Sequence, residues 1–160
     1  MSALNEEKGS ADSLDVIRVD AYDGLPEWLS REDLGKFLHE SLKPYEDPYD
    51  VILDGLDYAL GEDPCKDGFV IAAHREKSLL GAVVMLRTGM SGYVPENLLL
   101  FIAVGPDYRG RGIGGALLRR VFDESEGQVK LHVEHDNPAR RLYERSGFES
   151  KYVEMRWSRE

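Results

Sequence analysis

With 160 residues, 42% of them hydrophobic, and a formal net charge of −10, the chain is large enough to bury a core without metal or disulfide support. Its one cysteine, Cys65, has no internal partner, no apolar run reaches membrane-spanning length, and no signal-like leader opens the chain, so a soluble, cytoplasmic, single-domain protein is expected. The charge is lopsided: residues 1–66 carry 17 acids and 6 bases, residues 67–160 carry 13 and 14, and no basic stripe offers itself to nucleic acid. In the plain reading the acidic half is a solvated face. In the sharper one it favours a cationic partner while the second half holds an anionic one.

Met1 to Leu14 is polar, with almost nothing to bury, and reads as a disordered tail before a folded domain over 15–160. Val16, Ile17, Val19 and Ala21 mark a first strand. Pro26 suits a helix start, and Trp28, Leu29, Leu34, Phe37, Leu38 and Leu42 form an apolar stripe. His39 decorates this helix, since no second ligand stands at metal spacing, and no metal site is expected. Pro44 and Pro48 bracket an acidic loop before a second helical segment from Val51 to Leu60. Phe69–Ala73 and Leu79–Leu86 read as a hairpin with His74 at its tip, and 88–97 as a long connection.

Leu98 to Val104 is an unbroken apolar run, as in a central strand covered on both faces. Gly105 and Pro106 end it. Arg109, Gly110, Arg111, Gly112, Ile113, Gly114 and Gly115 then lead into a helix carrying Leu117, Leu118 and Val121. A helix that opens on glycines leaves bare N–H groups at its positive end, a seat for phosphate or pyrophosphate, and the two arginines add charge. The spacing Gly110-x-Gly112-x-x-Gly115 also satisfies the dinucleotide fingerprint, with Glu134 roughly 20 residues on. A third reading is structural: glycines that let the helix pack close to the sheet.

Gly127 stops that helix. Val129, Leu131 and Val133 alternate with Lys130, His132 and Glu134, giving a strand with two unlike faces. Asp136, Asn137 and Pro138 cap a further helix that places Ala139, Leu142 and Tyr143 on one side, and Gly147 ends it. Phe148–Lys151 and Tyr152–Trp157 read as closing strands. The order is β-α-α-β-β-β-α-β-α-β-β, without internal repeats.

Two segments, AVGPDYRGRGIGGALL and HVEHDNPARRLYERSGF, resemble the GNAT superfamily of acyl-CoA-dependent N-acyltransferases. The first carries the family's Arg/Gln-x-x-Gly-x-Gly/Ala motif at Arg109, Gly112 and Gly114; the second ends in Leu-Tyr-Glu followed by Gly-Phe. The resemblance covers about residues 15–157. It implies an α/β (α+β) GNAT fold: a mixed sheet of about six to seven strands flanked by about four helices. It also implies acetyl-CoA as co-substrate and a primary amine as acceptor, and family members are often dimers.

Further implications concern individual residues. The pyrophosphate of CoA would sit on Gly110 to Gly115, and pantetheine amides would pair with the main chain of Ile102, Ala103 and Val104. For that, strand 98–104 must splay from the strand after it. Tyr143 would be the general acid at the sulfur, with N–H groups near Val104 holding the thioester oxygen. His132 falls where some members place a carboxylate base, and Glu134 shares its strand face. Glu96 precedes the central strand. The asparagine that often lies seven residues before the tyrosine is here Asp136, with Asn137 six before. The implied reaction is direct attack of a neutral amine on the thioester, with Cys65 outside both motifs. Two rival readings are a non-catalytic acyl-CoA-binding module and an NAD(P)-dependent oxidoreductase.

Overall fold

The computed structural model describes residues 13–160. Among these the strands are β1 (Asp15–Val19), β2 (Gly68–Arg75), β3 (Ser78–Arg87), β4 (Asn97–Val104) and β5 (Val129–Leu131). The helices are α1 (Arg31–Ser41), α2 (Tyr49–Leu60), α3 (Ile113–Glu124) and α4 (Ala139–Arg145). The sheet runs β1-β2-β3-β4-β5, antiparallel up to β4 and parallel between β4 and β5. No helix among the described residues is long and apolar enough to cross a membrane. Most of the expected polar tail, residues 1–12, lies outside the described residues.

Three layers follow from where the apolar side chains point. The centres of β2 and β3 are buried on both faces, because helices cover both sides of the sheet. On one face, Leu34 and Leu38 of α1 and Ile52 and Leu56 of α2 pack against Val70, Val84 and Phe101. On the other, Leu117, Leu118 and Val121 of α3 pack against Phe69, Ile71 and Met85. Leu34 and Leu38, Ile52 and Leu56, and Leu117 and Val121 are each spaced i, i+4, which puts each pair on one stripe.

The structure corrects several sequence expectations. Helix α1 begins at Arg31 and not near Pro26, because the Ser30 hydroxyl accepts from the Asp33 N–H at 3.1 Å and caps it there. His74 is no solvent tip: it lies within β2, its ring 5.2 Å from that of Trp28, and the hairpin turns at Glu76 in left-handed backbone. Strand β5 stops at Leu131, short of Glu134, because beyond Leu99 it has lost β4 as a neighbour. The two closing strands are absent, so the sheet has five strands. Tyr152, Val153, Met155 and Trp157 are 64 to 88% exposed, and alternation without burial gives no drive to pair.

Candidate functional site

The site grows from a defect in β4. Val84 lies opposite Phe101 but Met85 lies opposite Leu99, so Leu100 is an extra residue, a β-bulge. Its effect shows in the packing: Leu100 and Phe101 both face the α2 side, while Leu99 and Ile102 face the α3 side. The parallel pairing with β5 ends at the same point, with Leu99 opposite Leu131. From Leu100 onward β4 has β3 on one side and a gap on the other. The Gly105 N–H donates to Leu80 O on β3 at 2.8 Å. By the alternation of an antiparallel ladder, the main-chain groups of Ile102 and Val104 therefore point into the gap, while those of Ala103 serve β3.

Below the gap lies the glycine turn. Gly110 and Gly112 have φ of +75° and +82°, and a Cβ on either would meet nothing within 4 Å, so the turn is open. Gly112 caps α3 without a side-chain hydrogen bond, and the first bond of the helix is Ala116 N–H to Gly112 O. The N–H groups of Ile113, Gly114 and Gly115 thus have no helical partner and form the positive end of a 12-residue helix. The Ile113 side chain is buried in the core, so only its main chain faces the turn. At Gly114 an added Cβ would come within 3.0 Å of Leu142, which brings α4 against the turn.

The two turn arginines part company. Arg111 is exposed, its guanidinium 5.7 Å from the Tyr108 ring centre. Arg109 is exposed too, but its guanidinium is engaged, donating to Val104 O at 3.2 Å and to Ser41 O at 2.6 Å. A cation absent from the sequence reading stands nearby: Arg119, whose Nη1 would lie 3.4 Å from a Cβ on Gly115. Its spacing of one helical turn from Gly115 was the available signal.

Tyr143 is 8% exposed and its ring lies edge-on to Phe148, with centroids 5.9 Å apart. Burial pushes its phenol up to about 12, so it stays protonated at neutral pH. Leu131 and Val133 pack toward α3, which turns the exposed His132 and Glu134 to the opposite face, that of α1 and α2. Asn137 is engaged locally, its Oδ1 accepting from Ala139 N–H at 2.9 Å at the entry to α4. Glu96 is likewise committed: its carboxylate accepts from Gln128 N–H at 2.7 Å, and that bond holds it below the usual carboxylate range.

A cleft of about 2300 Å³ runs along the gap, lined by Ile102, Gly112, His132, Tyr143, Asp54 and Tyr93 among others. That exceeds the roughly 300–1,000 Å³ of an ordinary small-ligand pocket and leaves room for an elongated molecule and a second reactant. The loop 42–48 crosses it, with the Tyr45 hydroxyl donating to Asp136 O at 3.2 Å. Burial, then the Asp136 and Glu134 carboxylates, raise the Tyr45 phenol, so Glu134 stands close to this loop. No His, Cys, Asp or Glu cluster among the described residues is arranged to hold a metal ion.

Comparison with known proteins agrees with this geometry. Residues 66–150 match the family model described as acetyltransferase (GNAT) domain. A mycothiol acetyltransferase from Rhodococcus opacus is 34% identical over 105 residues, 61% of this chain and 34% of the relative. One from Corynebacterium aurimucosum is 40% identical over 63 residues, 36% of this chain and 21% of the relative. The matched stretch of the chain thus spans a fifth to a third of these curated relatives. An aminoglycoside N-acetyltransferase solved with CoA is similar over 92% of this chain and 95% of its own, with TM-score 0.66 and 16% identity. A ribosomal-protein-alanine N-acetyltransferase from Brucella melitensis is similar over 91% and 99%, with TM-score 0.62 and 19% identity. At these identities the structural likeness concerns the fold.

Proposed function

The chain belongs to the GNAT acetyltransferase family, and from that premise we propose that it moves the acetyl group of acetyl-CoA onto a primary amine inside the cleft beside β4. The observation that carries this reading is the coincidence of an unpaired half-strand with an uncapped glycine helix start. A molecule that ends in pyrophosphate and continues as a chain of amides matches both. Its phosphates would take the N–H groups of residues 110–115. Its amides would take the main chain of Ile102 and the N–H of Val104, whose carbonyl already accepts from Arg109, much as an added strand does. The metal-free donor set of N–H groups, carbonyls and arginines fits that ligand.

Within this frame the residues divide the work. An N–H near Val104 stabilises charge as it develops on the thioester oxygen. As the new C–N bond forms, the C–S bond breaks and sulfur takes a proton. Tyr143, kept neutral by its burial, donates a hydrogen bond there. Tyr143 passes its phenol proton to the departing sulfur, and the proton that the amine loses to the base returns to the phenol through solvent, so the balance closes. His132 and Glu134, on the face that meets the acceptor loop, take that amine proton directly or through water. Asp47 and Asp54, which line the cleft, favour a cationic acceptor.

The test is release of free thiol from acetyl-CoA in the presence of a polyamine, an aminoglycoside and a peptide with N-terminal alanine. Turnover with any of them supports the enzyme reading. Tight CoA binding without turnover on a broad amine panel would favour a non-catalytic acyl-CoA-binding module. Once an acceptor is known, His132→Gln and Glu134→Gln separate the base: the residue that serves moves the acid limb of the pH–rate profile, and the other leaves it in place.

A further inference from the structure

We propose that Arg109 is a positioning residue for the acceptor side, transmitting occupancy of the glycine turn to the loop 42–48. The inference rests on the reading of residues 110–115 as the phosphate seat. It starts from where the side chain goes. The guanidinium does not open toward the turn; it ties Val104 O, at the end of β4, to Ser41 O, at the end of α1. Ser41 is 5% exposed and Arg109 is exposed, so the 2.6 Å bond is half-buried, with its acceptor end inside the protein. A helix C-terminus has unpaired carbonyls and a negative end, and a planar cation with several donors satisfies both needs.

The contact between the end of β4 and α1 is close on a second count. A Cβ on Gly105 would lie 3.6 Å from the Phe37 ring, so no side chain stands between them. The loop 42–48 leaves directly from Ser41. Its far anchor is the Tyr45 hydroxyl on Asp136 O, across the cleft. One end of the loop thus hangs on the turn and its middle hangs on the wall that carries α4. Arg109 immediately precedes Gly110 and Gly112, whose positive φ and open surroundings leave the turn without side-chain packing of its own. Fixing the turn fixes Arg109, and Arg109 fixes the start of the loop that faces the acceptor. That is coupling through shared ordering, with no contact between CoA and the loop.

Hydrogen exchange on the full chain, with and without CoA as the probe, tests this. In the parent, CoA slows amides at 110–115, and it slows those at 42–48 roughly fivefold or more. In Arg109→Gln the slowing at 110–115 persists and that at 42–48 disappears. Arg109→Lys keeps part of it, because an ammonium reaches one carbonyl where the guanidinium reaches two. If Arg109→Gln does not fold, the lysine variant carries the test alone, and a full parental response from it overturns the proposal. An unchanged loop response in Arg109→Gln also overturns it. So does loss of protection at 110–115 in that variant, which would make Arg109 a phosphate contact. A parent that responds at 110–115 but not at 42–48 refutes this inference alone. A parent that responds at neither removes the cofactor reading beneath it and the proposal with it.

Discussion

The two halves of β4 are built from similar apolar residues and serve opposite ends. From Asn97 to Leu99 the strand has β3 on one side and β5 on the other. From Leu100 to Val104 it keeps only β3. The first half closes its hydrogen bonds within the protein. The second leaves main-chain groups open beside a glycine turn and a buried tyrosine. Satisfied backbone makes a fold stable, and unsatisfied backbone at a protected edge makes it receptive. One inserted residue, Leu100, marks the boundary between the two.

Mutations should sort along that boundary. Tyr143→Phe belongs to the open half and should give the largest functional effect, a fall in turnover of roughly 100-fold. Acetyl-CoA affinity should stay within a few-fold, as measured by initial rates and by titration. Asn97→Ala belongs to the closed half. The Asn97 side chain is buried and donates to Glu126 O at 2.7 Å and Gln128 O at 3.1 Å. Its loss should cost roughly 2–4 kcal/mol in urea denaturation, since two carbonyls lose their shared donor.

Glu96→Gln is the mildest and sharpens the comparison through pH. The bond from Gln128 N–H lowers the Glu96 carboxyl in the folded state. A lowered carboxyl contributes stability that is fully present above its unfolded value, about 4.3, and is lost as pH falls through its folded value. The Tm gap between parent and Glu96→Gln should therefore be constant at neutral pH and close in acid below that range.

Much of this site is local and could be read in the chain. The apolar run 98–104, the glycine spacing of 110–115 and the stripe that carries Tyr143 each depend on neighbours a few residues away. The splay of β4 from the next strand was expected too, and the pairing register displays it. What stayed hidden depends on distant partners. The bulge at Leu100 arises only in register with β3. The bond from Arg109 to Ser41 O joins residues 68 apart, which no local spacing signals. The alternation of Tyr152 to Trp157 is strand-like, but β5 is too short to receive a neighbour. At α1 two local signals competed, and the Ser30 hydroxyl bond prevailed over Pro26.

The central claim is that the open half of β4 and the turn below it form one seat for acetyl-CoA. Calorimetric titration of the parent and of Gly112→Trp with acetyl-CoA, CoA and NADH addresses it directly. An indole at Gly112 would fill open space at a backbone position of positive φ and block the seat. Binding of both CoA species by the parent, none of NADH, and loss of binding by at least about 100-fold in Gly112→Trp is the predicted result (about 2.7 kcal/mol). Binding of NADH without CoA would contradict the account, and so would CoA binding that the tryptophan leaves untouched.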